Sequence, residues 1–147
     1  MKKLVLLVED NPDDVDLTLY ALKKNDFKHE VFVVNDGVEA LEYLFGTGTH
    51  KGRDMSVMPE IVLLDLKLPR INGIEVLQRL RDAKETKHLP VVILTSSKEE
   101  RDVINCYRRG ANAYVRKPVD FNEFVSAVKH ILSFWLILNV PCRGKGV

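Results

Sequence analysis

The stretch IVLLDLKLP, from Ile61 to Pro69, constrains the fold more than any other part of the chain. Its four leading apolar residues have no polar residue between them, which is typical of a strand buried on both faces. Such strands occur in parallel sheets that are covered by helices on both sides. Asp65 follows at the carboxyl end, where doubly wound sheets place their ligand sites. The run therefore predicts an α/β fold and marks Asp65 as a candidate functional residue.

Further apolar runs of this kind alternate with stretches of helical periodicity along the chain. The candidate strands are Leu4 to Val8, Val31 to Val34, Ile61 to Leu64, Val91 to Leu94 and Ala113 to Arg116. This alternation predicts a three-layer, doubly wound, five-stranded parallel sheet with right-handed crossovers. The pattern leaves the order of the strands along the sheet open.

Capping residues mark where the intervening helices begin. The predicted caps are Asn11, Asp36, Ser97 and Asp120, and the third helix is expected after a turn at Asn72-Gly73. Ser97 and Asp120 each stand three residues before a glutamate, which is the capping-box spacing. The loop over residues 45–60 is longer than the usual length of about 4 to 6 residues, and we expect it to be mobile or to face a partner.

Length and charge fit one soluble domain. The chain has 147 residues and a net charge of +1 with interspersed charges, which gives no reason to expect a nucleic-acid partner. Cys106 and Cys142 lie outside any CxxC motif and suit free thiols in the cytoplasm. The apolar run Ile131 to Val140 falls short of the roughly 20 residues that span a bilayer, so we expect no membrane partner. The predicted domain covers residues 1–140, followed by a flexible tail over 141–147.

Polar residues stand at the carboxyl ends of four of these strands. They are Glu9 and Asp10 after the first, Asp65 after the third, Thr95 and Ser96 after the fourth, and Lys117 after the fifth. Because parallel strands all end at one edge of the sheet, we expect these side chains to converge. Neighbouring carboxylates repel one another unless a cation joins them, and oxygen ligands suit Mg²⁺. The histidines are scattered and suggest no soft-metal site.

Such an edge suits phosphoryl transfer. A metal at Asp10 and Asp65 would neutralise an incoming phosphoryl group while Lys117 and Thr95 hold its other oxygens. A carboxylate oxygen of Asp65 could then attack phosphorus in line and form an acyl phosphate. The alternative, that the acids merely cap helices, suffices for Asp10 alone but not for the whole set.

These residues occur together in a known family. Glu9-Asp10, Asp65, Thr95-Ser96 and Lys117-Pro118, with Asn72-Gly73 and Tyr114, resemble the receiver domains of two-component response regulators. The segments LVEDNPDD and DLKLPRING resemble the single-domain regulators paired with bacterial and cyanobacterial phytochromes. The resemblance implies a flavodoxin-like fold and a phosphorelay signalling protein, not an enzyme. Its phosphoryl donor would be a sensor histidine kinase such as a phytochrome.

The resemblance also implies roles for individual residues. Asp65 is the expected phosphoacceptor, and Asp10 is expected to bind Mg²⁺, or Mn²⁺ in its place, together with Asp65. Glu9 would act on the metal through water, and the backbone carbonyl of Lys67 would be another ligand.

The switch residues follow from the same resemblance. Lys117, the Thr95 hydroxyl and the Ser96 backbone amide are expected to bind the phosphoryl group. Tyr114 would then turn inward as the conformational switch. Family members have a cis peptide at the position of Lys117-Pro118, so we expect one here.

Two other functions remain as alternatives. A Mg²⁺-dependent phosphohydrolase with an aspartyl nucleophile would need a second acid two residues after Asp65, where this chain has Lys67. A pseudo-receiver that only binds proteins would have lost an acid or the lysine, and neither is lost.

The apolar run from Phe134 to Leu138 predicts an interface. We expect a homodimer through this end of the fifth helix; the alternative is that the segment folds back onto its own domain.

Overall fold

A computed structural model describes residues 3–24 and 29–142, and within them five strands alternate with five helices. The strands are β1 (Lys3–Val8), β2 (His29–Val34), β3 (Ile61–Leu64), β4 (Val91–Thr95) and β5 (Ala113–Arg116). The helices are α1 (Pro12–Lys23), α2 (Gly37–Phe45), α3 (Gly73–Asp82), α4 (Glu100–Arg108) and α5 (Phe121–Leu132). The strands form one parallel sheet in the order β2-β1-β3-β4-β5. The predicted flavodoxin-like fold is confirmed.

The central strands are buried on both faces, as their apolar sequence predicts. Alternate residues of β3 belong to two separate cores: Val62 and Leu64 to the one on the α2, α3 and α4 side, and Ile61 and Leu63 to the one with α1 and α5. All four side chains are fully buried. This three-layer packing leaves only the ends of the central strands open to solvent, and the polar residues lie at the carboxyl end.

Three of the four predicted helix caps are present, since the side chains of Asn11, Asp36 and Asp120 each accept a backbone N–H of the first turn. Asn72, in the predicted turn, caps α3 in the same way. The cap at Ser97 is wrong. Helix α4 begins at Glu100, and the Ser97 hydroxyl instead donates to Asp102 Oδ2 at 2.6 Å. The Asp102 carboxylate, in the first turn of α4, accepts the Ser97 hydroxyl, and the predicted capping box does not form.

The long loop before β3 is held against α2. Arg53 Nε donates to the Tyr43 carbonyl at 2.7 Å, and its guanidinium lies over the Tyr43 ring at 4.2 Å. A second guanidinium nitrogen donates to the Val57 carbonyl at 2.7 Å. These contacts argue against the expected mobile loop. Met55 and Val57 are exposed there, so a role in facing a partner stays a prediction.

Beyond α5 the chain continues as a π-helical turn, Ser133–Leu138. Its Leu136 side chain is buried in the α1 and α5 core, and Lys3 Nζ donates to the Leu136 carbonyl. The stretch Phe121–Leu138 is long and apolar enough to cross a membrane, a test that core helices of soluble proteins also pass. Five of its side chains, Phe124, Val128, Ile131, Leu132 and Leu136, lie in the core. The predicted tail lies outside the described residues from 143 onward.

Candidate functional site

Backbone hydrogen bonds between strands fix the positions of the first polar residues at the carboxyl edge of the sheet. The Glu9 amide donates to the Val34 carbonyl at 3.1 Å, and the Asp65 amide donates to the Val8 carbonyl at 3.1 Å. Each hydrogen bond extends the pairing of a strand by one residue. Glu9 and Asp65 therefore leave the sheet on neighbouring strands.

Three acids converge there as the sequence predicts. Glu9, Asp10 and Asp65 each offer a carboxylate oxygen, and these oxygens lie within 4.8 Å of one another. Glu9 is 2% exposed, the Asp65 side chain is 12% exposed, and Asp10 faces solvent. An all-oxygen cluster with one open side fits Mg²⁺ or Mn²⁺, because these ions prefer carboxylates and retain bound water. Among the described residues, this is the group that offers such a site.

Lys117 lies among the acids and is only 10% exposed in its side chain. Its Nζ is 2.5 Å from Glu9 Oε1, 3.2 Å from Asp14 Oδ2 and 3.8 Å from Asp65 Oδ2. The ammonium therefore neutralises part of the carboxylate charge. Asp14 was not among the predicted site residues, although the first turn of a helix that starts just after β1 must lie over this edge.

The protonation of this group depends on burial. Burial raises the pKa of Glu9 from 4.5 to about 7; the charge of Asp65 adds to the rise, and the hydrogen bond from Lys117 opposes it. For Lys117, burial alone would lower the pKa. The hydrogen bond to Glu9 and the charges of Asp65 and Asp14 outweigh burial and keep the pKa above its ordinary value.

Neighbouring backbone groups hold both acids in place. Glu9 Oε2 accepts from the Asn11 amide at 3.3 Å, and Asp65 Oδ1 accepts from the Leu66 amide at 2.8 Å. Gly73 begins α3 so close to β3 that a Cβ there would lie 2.2 Å from the Asp65 carbonyl oxygen. The glycine allows α3 to start beside the end of β3.

Thr95 ends β4, which lies on the opposite side of β3 from β1. Thr95 is 1% exposed, and its Oγ1 accepts from the Ser97 amide at 3.3 Å. The Tyr114 ring packs against the core, and its buried hydroxyl makes no hydrogen bond within the described residues. Burial raises the pKa of this phenol. The ring is thus already turned inward, and its movement stays a prediction.

Two further candidates, Lys67 and Ser96, are exposed and line the cleft beside Asp10. The expected metal contact of the Lys67 carbonyl and the expected phosphoryl contact of the Ser96 amide stay predictions.

The expected cis peptide at Lys117-Pro118 is wrong, because the described residues contain no cis peptide bond. The trans form is the ground state of an X-Pro bond by about 0.5 to 1 kcal/mol. The lysine is directed by other contacts, since its amide donates to the Thr95 carbonyl at 2.8 Å and its ammonium is bound by carboxylates. No unusual peptide geometry is needed to bring Lys117 to the acids.

Comparison with protein families agrees with this geometry. The model of the response regulator receiver domain matches residues 5–129. Among individual proteins, the chain is 37% identical to the response regulator Rcp1 of Synechocystis sp. over 134 residues, which is 91% of this chain and 89% of that protein.

Solved structures of response regulators are also similar to this chain over most of its length. The phosphorylated cyanobacterial phytochrome response regulator RcpA is similar with a TM-score of 0.88 and 35% identity, covering 96% of this chain and 99% of that one. The Mn²⁺-bound form of Rcp1 is similar with a TM-score of 0.86 and 35% identity, covering 95% and 99%. The bacteriophytochrome response regulator RtBRR is 49% identical with a TM-score of 0.77, covering 98% and 86%.

Proposed function

Because this chain belongs to the response regulator receiver domain family, we propose that it carries its signal as a phosphoryl group on Asp65. One observation carries the assignment. Asp65 lies within 4.8 Å of the Glu9 and Asp10 oxygens and 3.8 Å from the Lys117 ammonium, and its side chain is 12% exposed, whereas Glu9 is almost fully buried and already bonded to Lys117. An aspartate so placed can act as nucleophile while its neighbours neutralise phosphoryl charge.

The residues divide the reaction between them. An Asp65 oxygen attacks phosphorus in line, and the bond from phosphorus to the imidazole nitrogen of the donor histidine breaks, so that the nitrogen keeps the electron pair. Asp10 and Asp65, with the Lys67 carbonyl, would hold a divalent cation, and Glu9 would act on it through water. When bound, that cation supplies charge neutralisation between the acids and the phosphoryl oxygens. Lys117, Thr95 and the Ser96 amide hold the remaining oxygens.

The partner of a receiver domain is a sensor histidine kinase, and we propose a phytochrome in that role. Support comes from the similar proteins RcpA and RtBRR, which are named as phytochrome and bacteriophytochrome response regulators. We propose that the protein acts in the cytoplasm and that its domain covers residues 1–140. The proposed chemistry is limited to the protein's own phosphorylation and dephosphorylation.

The output is proposed to be a change in the α4, β5 and α5 surface when Thr95 moves to the phosphoryl group and the Tyr114 ring is held inward. Shifting a population from 1:99 to 99:1 needs about 5.5 kcal/mol of differential interaction. Hydrogen bonds to charged groups contribute about 1.5 to 3 kcal/mol each, so a few phosphoryl contacts suffice.

We further propose that two copies pair through the end of α5. Phe134, Ile137 and Leu138 are 47%, 56% and 68% exposed, although they follow one another closely on an apolar segment. A patch of this kind is typical of a protein interface.

The test of the assignment is the substitution Asp65→Asn. Acetyl phosphate with Mg²⁺ is expected to add the mass of one phosphoryl group to the wild type and none to the variant, as measured by intact-mass spectrometry. The matched control is Asp16→Asn, an exposed aspartate on α1, which should incorporate phosphate like the wild type.

Incorporation into Asp65→Asn at the wild-type level would contradict the assignment. Continuous release of inorganic phosphate from varied monoesters would instead favour a phosphohydrolase. Failure of the wild type to incorporate phosphate would favour a receiver that acts only as a binding module.

A further inference from the structure

Asp14 contacts the lysine of the site without belonging to the cluster of acids that suits a metal. We propose, on the basis of the proposed function, that Asp14 is a positioning residue that competes with the phosphoryl group for the Lys117 ammonium. Asp14 would thereby weaken the hold of Lys117 on a phosphorylated Asp65.

The position of Asp14 is fixed by its helix. Its amide donates to Asn11 Oδ1 at 3.2 Å as part of the α1 cap, and its carbonyl accepts from the Thr18 hydroxyl at 2.7 Å. The first turn of α1 therefore holds the Asp14 carboxylate beside the carboxyl edge of the sheet.

The distances define the competition. Lys117 Nζ is hydrogen-bonded to Glu9 and Asp14, whereas its 3.8 Å separation from Asp65 Oδ2 exceeds hydrogen-bond length. Glu9 is almost completely buried, and its amide is paired with β2, so Glu9 stays in place. Asp14 is the more exposed of the two partners, so we take its contact as the one that lengthens when the ammonium moves toward a phosphoryl group on Asp65.

The strength of this competition is modest because the Asp14 side chain is 38% exposed. Ion pairs with one partner in solvent are weak, so removal of the Asp14 charge should change phosphoryl-group binding by about two- to five-fold.

The chain supplies a matched control in Asp13. It carries the same charge in the same turn of α1, and its amide donates to the same cap oxygen, Asn11 Oδ1, at 2.9 Å. Asp13 makes no ion pair with Lys117. A general effect of lost negative charge should appear in both positions, whereas a contact effect should appear only at Asp14.

The experiment measures the affinity of the folded protein for beryllofluoride, a phosphoryl analogue, with Mg²⁺ present, by ¹⁹F nuclear magnetic resonance. Asp14→Asn is expected to bind it about two- to five-fold more tightly than Asp13→Asn does. Asp14→Glu, which retains the charge, is expected to stay close to the wild type. Damage to the fold would weaken binding, so a gain in affinity separates positioning from a structural role.

Equal affinities for Asp14→Asn and Asp13→Asn, weaker binding by Asp14→Asn, or a gain also in Asp14→Glu would each overturn the inference. The proposed function is tested separately. If the wild type incorporates phosphate from acetyl phosphate but these variants do not differ, only the role of Asp14 fails; if the wild type incorporates none, the assignment of Asp65 fails first.

Discussion

Glu9 is the acid of the site whose charge depends most on its surroundings. Its burial raises its pKa to about 7, so near neutral pH the metal-free protein is a mixture of protonated and ionised Glu9. Proton binding to Glu9 stabilises the metal-free fold fully below its ordinary pKa of 4.5, and this stabilisation is lost as pH rises through about 7. A divalent cation favours the ionised form and opposes that loss.

The affinity for Mg²⁺ should therefore depend on pH. Binding at about pH 6 is expected to be up to about tenfold weaker than at about pH 8, and to release a proton at the lower pH, because Glu9 must ionise. Isothermal titration calorimetry in two buffers of different ionisation enthalpy measures both quantities. Glu9→Gln should remove most of the pH dependence, and Glu123→Gln, exposed on α5, should retain it. Equal affinity at both pH values would contradict the role of Glu9.

The acids of the site could be predicted from the sequence, because a polar residue directly after a buried parallel strand lies at the carboxyl edge of the sheet. Asp14 was not predicted, because contact with Lys117 depends on how α1 leaves the end of β1. The Lys117-Pro118 bond was predicted wrongly, since that expectation came from resemblance and not from the residues themselves.

Helix α3 begins at Gly73, where the neighbouring backbone leaves no room for a side chain. A Cβ at Gly73 would lie 2.2 Å from the Asp65 carbonyl oxygen, so one of the two segments must move when a methyl group is added. The position thus couples the first turn of α3 to the proposed phosphoacceptor.

Gly73→Ala should cost about 1 to 3 kcal/mol of unfolding free energy and should also slow phosphate incorporation several-fold. Gly37→Ala is the control, because its Cβ would lie 2.0 Å from the Ile71 carbonyl oxygen and clash similarly without touching Asp65. Urea unfolding measures the first effect, and incorporation from acetyl phosphate by the folded fraction measures the second. If both variants slow incorporation equally, the coupling to Asp65 is wrong.

Elements were predicted closely where one signal determined them. The bounds of β3 and β5 agree with the predicted strands, and three predicted caps agree with their side chains. The start of α4 was predicted wrongly, because Ser97 has two polar partners within reach and the sequence does not rank them.

The order of the strands along the sheet is determined by the packing of the whole molecule. Alternation predicted a parallel sheet, but the side on which each crossover passes decides that β1 lies between β2 and β3. The long-range packing of the two cores fixes this choice, and no local pattern reports it.

Assembly is tested by placing a charge on the exposed apolar end of α5. Ile137→Asp should weaken self-association by at least about tenfold, because a carboxylate would be buried between the copies. Val119→Asp is the control, since Val119 is 98% exposed but precedes α5 at its other end. Sedimentation velocity over a range of concentrations measures the effect. A wild type that stays monomeric at high concentration, with or without phosphorylation, removes the proposed dimer.

The pairing of β1 with β3 has a consequence for how such a protein can diversify. Glu9 and Asp65 extend adjacent paired strands, so the gap between them is governed by the interstrand spacing of about 4.7 to 4.9 Å and not by helix packing. Substitutions on the outer faces of the helices can therefore alter which proteins dock while leaving the reactive acids in register. Exchanging surface segments between relatives is accordingly a practical route to rewiring a signalling circuit without rebuilding its chemistry.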